Sequence, residues 1–220
     1  MNLRLDYNNM MTEAIGSEGL EEGVFEKNSA LIGKAYKNVM DNRGKGWQEW
    51  CDLPFVKDDY LDEMISYCNG IREKAESFVV FGIGGSALGP IAVLQALMHL
   101  HHNELPAAKR KAPKFYVEDN VDPERMAALL DVIDIKTTYF NVITKSGETS
   151  ETLSQFLIVY DLLKKALGKE EAKKHIVVTT SDGKGTLFNL AKTEGFKHYA
   201  VQPGVGGRFS VLCPVGLVPF

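Results

Sequence analysis

Apolar positions along the first 75 or so residues recur at helical spacing, with no alternating or β-branched run among them. Val24, Leu31, Ala35 and Val39 share one helical face, the stretch 42–46 ends that helix, and a second helix is predicted over 58–75. Between the two, Trp47, Trp50, Leu53 and Phe55 form an apolar patch suited to anchor this helical extension, residues 1–75, to the domain that follows. From Ser77 the pattern changes to short apolar runs that alternate with amphipathic segments. Residues 78–81, 114–117, 138–144, 175–179 and 198–201 read as strands. Residues 88–100, 123–133, 151–167 and 187–193 read as the intervening helices, with Asp122 capping the second and Pro123 at its first position. Such alternation predicts an α/β fold, a doubly wound parallel five-stranded sheet over residues 76–203, with ligands bound at the carboxyl ends of the strands.

Composition narrows the ligand more than the fold. The 220 residues are 45% hydrophobic and 25% charged, the balance of an ordinary globular protein able to bury a substantial core. With 25 Lys plus Arg against 29 Asp plus Glu, the formal net charge is −4. That balance argues against a broad nucleic-acid footprint and requires any anion to be caught locally. The N-terminal Met1-Asn2-Leu3-Arg4-Leu5-Asp6-Tyr7 lacks the cationic flank and apolar centre of a signal peptide, and no apolar run approaches the roughly 18 residues of a membrane helix. Cys51, Cys68 and Cys213 are odd in number and unevenly spaced, without a C-x-x-C pair. Together these features predict reduced thiols, a cytoplasmic location and no membrane partner.

Two strand-to-helix turns carry candidate chemistry. The first strand runs into Gly82-Ile83-Gly84-Gly85-Ser86-Ala87, where glycines let the backbone approach a ligand and aim N–H groups at an anion. Ser86 adds a hydroxyl at the helix start. Gly82-x-Gly84-x-x-Ala87 also fits a dinucleotide fingerprint, which requires an acidic residue about 20 positions on, at the end of the second strand. Glu104 has that spacing but lies in a His/Pro/Lys-rich stretch, and Glu118-Asp119 comes too late. The third strand ends in Thr144-Lys145-Ser146-Gly147-Glu148-Thr149-Ser150-Glu151-Thr152, a cluster of hydroxyls around one Lys and one Gly. A helix cap uses one hydroxyl; several at one turn, beside free helical N–H groups, suit a phosphate dianion. Ordinary capping by Ser146, Thr149 or Thr152 is the competing account. His99, His101 and His102 lie near a helix end, with no ligand-spaced carboxylate or thiol apart from Glu104, so no metal site is predicted. His175 and His198 open strands and are read as structural.

The motifs together resemble the glucose-6-phosphate isomerase family, whose phosphosugar-binding domain has the flavodoxin-like SIS fold. Gly82-Ile83-Gly84-Gly85-Ser86-x-Leu88-Gly89 is similar to the family's first phosphate-side loop and Thr144-Lys145-Ser146-Gly147-x-Thr149 to its second. Gly204-Val205-Gly206-Gly207-Arg208-Phe209-Ser210 is similar to its G-G-R-[FY]-S signature. The likeness spans nearly the whole chain, Gly46-Trp47 and Leu53-Pro54 included. It implies interconversion of glucose 6-phosphate and fructose 6-phosphate through an enediolate, with no cofactor and no metal, in an enzyme that is usually a homodimer. It further implies that Gly85, Ser86, Thr144, Lys145, Ser146, Thr149 and Gly207 hold the sugar phosphate and that Arg208 stabilises the enediolate.

By the same resemblance the general-base Glu, the ring-opening His and a further Lys fall beyond Phe220. Residues 204–220 then read as the signature loop and the start of a segment leading to a second domain, and the chain as an inactive N-terminal portion of one about twice as long. The family commonly has Ser at the position of Thr144 and Thr at that of Glu148. Thr144 keeps the hydroxyl, whereas Glu148 is expected to point away from a dianion, to solvent or to Lys145. Glu148 and Glu151 lie beside the expected phosphate rather than at the reacting carbons and are not read as the base. A non-catalytic module that binds a sugar phosphate through the same two loops is the alternative reading.

Overall fold

A computed structural model describes residues 4–220; residues 1–3 of the expected helical extension lie outside the described residues. By contacts the chain divides into a smaller unit ending at Arg43 and a larger one from Gly44 to Phe220. The smaller unit consists of short helical turns and helix α1 (Ser29–Asp41), none of whose residues is buried. Leu31 and Val39, on its expected apolar face, are exposed, and Tyr7 packs edge-on against Phe25 at 4.9 Å.

The larger unit opens with 3-10 turns over Gly46–Phe55 and helix α2 (Asp58–Arg72). Leu53, Met64 and Ile71 are buried with the sheet, so the contact boundary falls at Arg43 and residues 44–75 lie on the sheet's side of it. The three-residue repeat of a 3-10 helix lines up Trp47, Trp50 and Leu53 along one edge. Exposure along that edge falls from 74% to 37% to 5%, and of the four residues in the patch only Leu53 is buried in the core.

Five parallel strands follow: β1 (Ser77–Phe81), β2 (Lys114–Glu118), β3 (Thr138–Ile143), β4 (Ile176–Thr180) and β5 (Lys197–Ala200). Their spatial order β2-β1-β3-β4-β5 is the flavodoxin-like one. Each lies within one or two residues of its expected place. The connecting helices are α3 (Gly85–Leu97), α4 (Pro123–Val132), α5 (Ser150–Leu167) and α6 (Thr186–Glu194). Helix α3 starts earlier than the apolar run at 88–100 suggests, because Gly84, at φ +55°, turns the chain straight from the strand into the helix. Asp122 caps α4 as expected, accepting the N–H groups of Glu124 at 2.9 Å and Arg125 at 3.2 Å.

Period-two alternation divides the strand side chains between two cores. Val79, Phe81, Phe140, Val142 and Val178 pack with Phe156, Val159, Leu163 and Leu187 from α5 and α6. Phe78, Val80, Tyr139, Ile143 and Val177 pack on the other face with Met64, Ile71, Val205, Cys213 and Val215. The tail beyond Gly204 therefore contributes to the second core. His175 Nδ1 lies 2.8 Å from the Thr138 carbonyl oxygen and His198 Nε2 lies 3.1 Å from that of Thr180, so both rings serve the sheet. Among the described residues no helix is long and apolar enough to cross a membrane.

Phe156 is fully buried, whereas Leu157, the next residue on α5, is 56% exposed. Phe156→Ala should lower the unfolding free energy by about 3–5 kcal/mol and Leu157→Ala by no more than about 0.5 kcal/mol in urea denaturation. Equal losses would mean that α5 presents a different face to the sheet.

Candidate functional site

Strands β1 and β3 are neighbours in register, Phe81 opposite Val142, so the turns leaving their carboxyl ends lie side by side. At the first turn no side chain caps α3. A Cβ on Gly85 would sit 2.4 Å from the Gly207 carbonyl carbon, so glycine at 85 is what lets the signature loop seat on the start of α3. Glu118, ending β2, is buried and paired with Arg125 Nε at 3.2 Å, while Arg125 Nη1 holds Asp119 at 2.7 Å. Burial pushes the Glu118 carboxyl above its ordinary range, against the opposing pull of Arg125. Both acids are thus engaged with one arginine, the arrangement of a structural ion pair.

At the second turn the Thr144 side chain is buried, its hydroxyl 2.7 Å from that of Thr149 and 3.3 Å from that of Ser146. No side chain caps α5, which begins just after Thr149. The hydroxyls bond one another instead of serving as caps, and the first-turn N–H groups of α5 remain to be met by solvent or an anion. Thr152, in that first turn, has a buried hydroxyl with no partner among the described residues.

Glu148 points away from the hydroxyls, toward α6 rather than Lys145. Its Oε1 accepts the Thr186 N–H at 2.6 Å and the Thr186 hydroxyl lies 2.9 Å from Oε2. Lys145 Nζ donates to the carbonyls of Pro203 at 2.6 Å and Val205 at 2.8 Å and lies 4.8 Å from the centre of the Trp47 ring. Two of its three N–H bonds therefore tie the signature loop to this turn. Burial, and then the neighbouring Lys184, hold the Lys145 pKa below the ordinary lysine value, against the pull of Glu49.

The signature loop is held from both sides. The Gly204 N–H donates to Glu49 Oε2 at 3.0 Å, and a Cβ on Gly204 would run into the Gly46 carbonyl oxygen. Ser210 Oγ donates to the Gly207 carbonyl at 2.8 Å, and Phe209 stacks on Trp50 at 4.8 Å. Arg208 lies between them on the 3-10 turn Gly207–Leu212, exposed and with no side-chain hydrogen bond or ion pair among the described residues. Gly85 and Ser86, Thr144 with Ser146 and Thr149, and Gly207 with Arg208 thus sit on three loops. The Gly85–Gly207 contact and the Lys145 bonds join those loops.

Sequence reading passes over a fourth element, the turn after β4, though its spaced glycines 183 and 185 mark it. Gly185 is at φ +89°, and a Cβ there would lie 2.5 Å from the Ser146 carbonyl oxygen. The Leu187 N–H donates to the Gly147 carbonyl at 3.0 Å.

A profile of the family described as Phosphoglucose isomerase matches residues 59–219. The glucose-6-phosphate isomerase of Carboxydothermus hydrogenoformans is 47% identical over 219 residues, covering 100% of this chain and 47% of that protein. That of Shouchella clausii is 40% identical over 190 residues, 84% of this chain and 42% of that protein. Among solved structures, a hypothetical protein from Thermus thermophilus aligns with a TM-score of 0.76 at 37% identity, over 88% of this chain and 44% of that one. A glucose-6-phosphate isomerase from Chlamydia trachomatis aligns with a TM-score of 0.57 at 26% identity, over 73% and 28%. The chain spans about half the length of the curated relatives it matches. The profile match takes in both strand-end turns and the signature loop, and with it the chain belongs to the phosphoglucose isomerase family.

Proposed function

We propose that this chain supplies the phosphate-binding half of a glucose-6-phosphate isomerase site, in which Thr144, Ser146 and Thr149 hold the phosphate of the sugar. The observation that carries this reading is the hydroxyl cluster at an uncapped helix N-terminus. A dianion there gains charge-assisted hydrogen bonds, each contributing about 1.5–3 kcal/mol, together with the field of α5. Gly85 and Ser86 supply an N–H and a hydroxyl from the adjacent turn, and Gly207 completes the wall. Lys145 adds its charge and its third N–H while holding the signature loop.

Isomerisation moves a proton between C2 and C1 of the open sugar through an enediolate, so it needs a base and a cation beside the developing negative oxygen. Arg208 fits the cation: it is exposed, without an ion-pair partner among the described residues, on a loop seated against Gly85. The phosphate grip then positions the reacting carbons at a distance. Neither nearby carboxylate fits the base, since Glu148 is bonded to Thr186 and Glu151 accepts the Ser150 hydroxyl at 3.2 Å. We assign the base and the ring-opening acid to the remainder of the family's length, and the working enzyme to a cytoplasmic homodimer. The three cysteines are free, and burial pushes the Cys68 and Cys213 thiols up to about 11, which makes both poor nucleophiles.

By titration calorimetry this chain should bind fructose 6-phosphate but not fructose, and Ser146→Ala combined with Thr149→Ala should weaken binding by at least about tenfold. Equal binding of fructose, or an unchanged affinity in the double variant, would contradict the assignment. Arg208→Ala should leave affinity for inorganic phosphate within about twofold and weaken an anionic enediolate mimic by about tenfold or more. Parallel losses for both ligands would make Arg208 a phosphate ligand instead.

A further inference from the structure

Resting on the phosphate-site reading above, we propose that Glu148 is a positioning residue: its carboxylate straps α6 to the phosphate turn and so holds the Ser146 and Thr149 hydroxyls in place for the anion. Glu148 is fixed at both ends. Its N–H donates to Ser146 Oγ at 3.1 Å, and its two carboxylate oxygens take the N–H and the hydroxyl of Thr186 at 2.6 to 3.0 Å. One residue thereby links a hydroxyl assigned to the phosphate with the first residue of a nine-residue helix.

The contact is wider than one side chain. Helix α6 has no cap from its own preceding residue, Gly185. The phosphate turn meets its first two N–H groups instead, that of Thr186 through the Glu148 carboxylate and that of Leu187 through the Gly147 carbonyl at 3.0 Å. Backbone lies directly on backbone, since a Cβ on Gly185 would come within 2.5 Å of the Ser146 carbonyl oxygen and 2.9 Å of Gly147 Cα. Gly147 is at φ +74°, in the middle of the turn, where a glycine has the most conformational freedom to lose. The strap opposes that freedom next to Ser146.

The same contact accounts for a negative charge beside an anion site. At the N-terminus of α6 the carboxylate meets the positive end of that helix, which offsets its repulsion of a phosphate. The two effects predict opposite signs on removal. If Glu148 acted only as a charge, deleting it would tighten phosphate binding; if it acts as a strap, deleting it weakens binding and an uncharged acceptor of the same shape restores it.

The test measures fructose 6-phosphate affinity for this chain by titration calorimetry, at a temperature where thermal melts show every variant folded. Glu148→Ala should bind about tenfold more weakly than wild type. Glu148→Gln, which keeps an oxygen for Thr186, should stay within about twofold. Thr186→Val should lose about threefold, and combining it with Glu148→Ala should add nothing further, as expected of two residues in one bond. If Glu148→Ala does not fold, the pair Thr186→Val and Glu148→Gln carries the test. Tighter binding by Glu148→Ala, or a lowered melting temperature with unchanged affinity, overturns the strap while leaving the phosphate site intact. Absence of binding by the wild type overturns the phosphate-site reading and the strap with it.

Discussion

Everything at the candidate site depends on the parallel pairing of β1 with β3. Neighbouring strands lie about 4.8 Å apart, so turns leaving adjacent carboxyl ends fall within reach of one phosphate, whereas an intervening strand would double the gap. The order β2-β1-β3-β4-β5 makes this junction the point where the winding reverses, the place at which open α/β sheets leave a crevice for ligands. The pairing is sustained by cores on both faces. Val79 and Phe81 feed one, Phe78 and Val80 the other, so β1 is apolar from residue 78 to residue 81.

Around that junction the loops are fitted by steric closeness more than by charge. Gly85 against Gly207, Gly185 against Ser146 and Gly204 against Gly46 are approaches that a Cβ would block. Charge enters locally, on a protein whose formal net charge is −4. Lys145 commits two hydrogen bonds to the signature loop, the Arg208 side chain is unpaired among the described residues, and the Glu148 carboxylate is turned onto α6. An anion arriving there meets hydroxyls bonded mainly to one another and a helix N-terminus that no side chain caps.

The strands, their connecting helices and the two glycine- and hydroxyl-rich turns were legible in the sequence, because each is written in a local pattern: short continuous apolar runs, a Gly-x-Gly-Gly turn, the Asp122-Pro123 start of α4. The long-range partners were not. Nothing local shows that the Lys145 ammonium reaches the carbonyls of Pro203 and Val205, or that Glu148 meets Thr186, since both depend on which strand neighbours which. The boundary at Arg43 was hidden for a similar reason. Residues 44–75 carry a helical pattern like that of the residues before them, and only the burial of Leu53, Met64 and Ile71 assigns them to the sheet. Capping by Ser146, Thr149 or Thr152 is equally compatible with the sequence, and the structure shows no side-chain cap there, with Thr144, Ser146 and Thr149 bonded to one another.

The central claim is that the turns after β1 and β3 form one anion site. Backbone amide shifts followed by NMR during titration of this chain with fructose 6-phosphate test it most directly. The amides of residues 85–87 and of residues 150–152 should move together, along curves that share a single dissociation constant. Movement of one set alone, or two distinct constants, would contradict a common site.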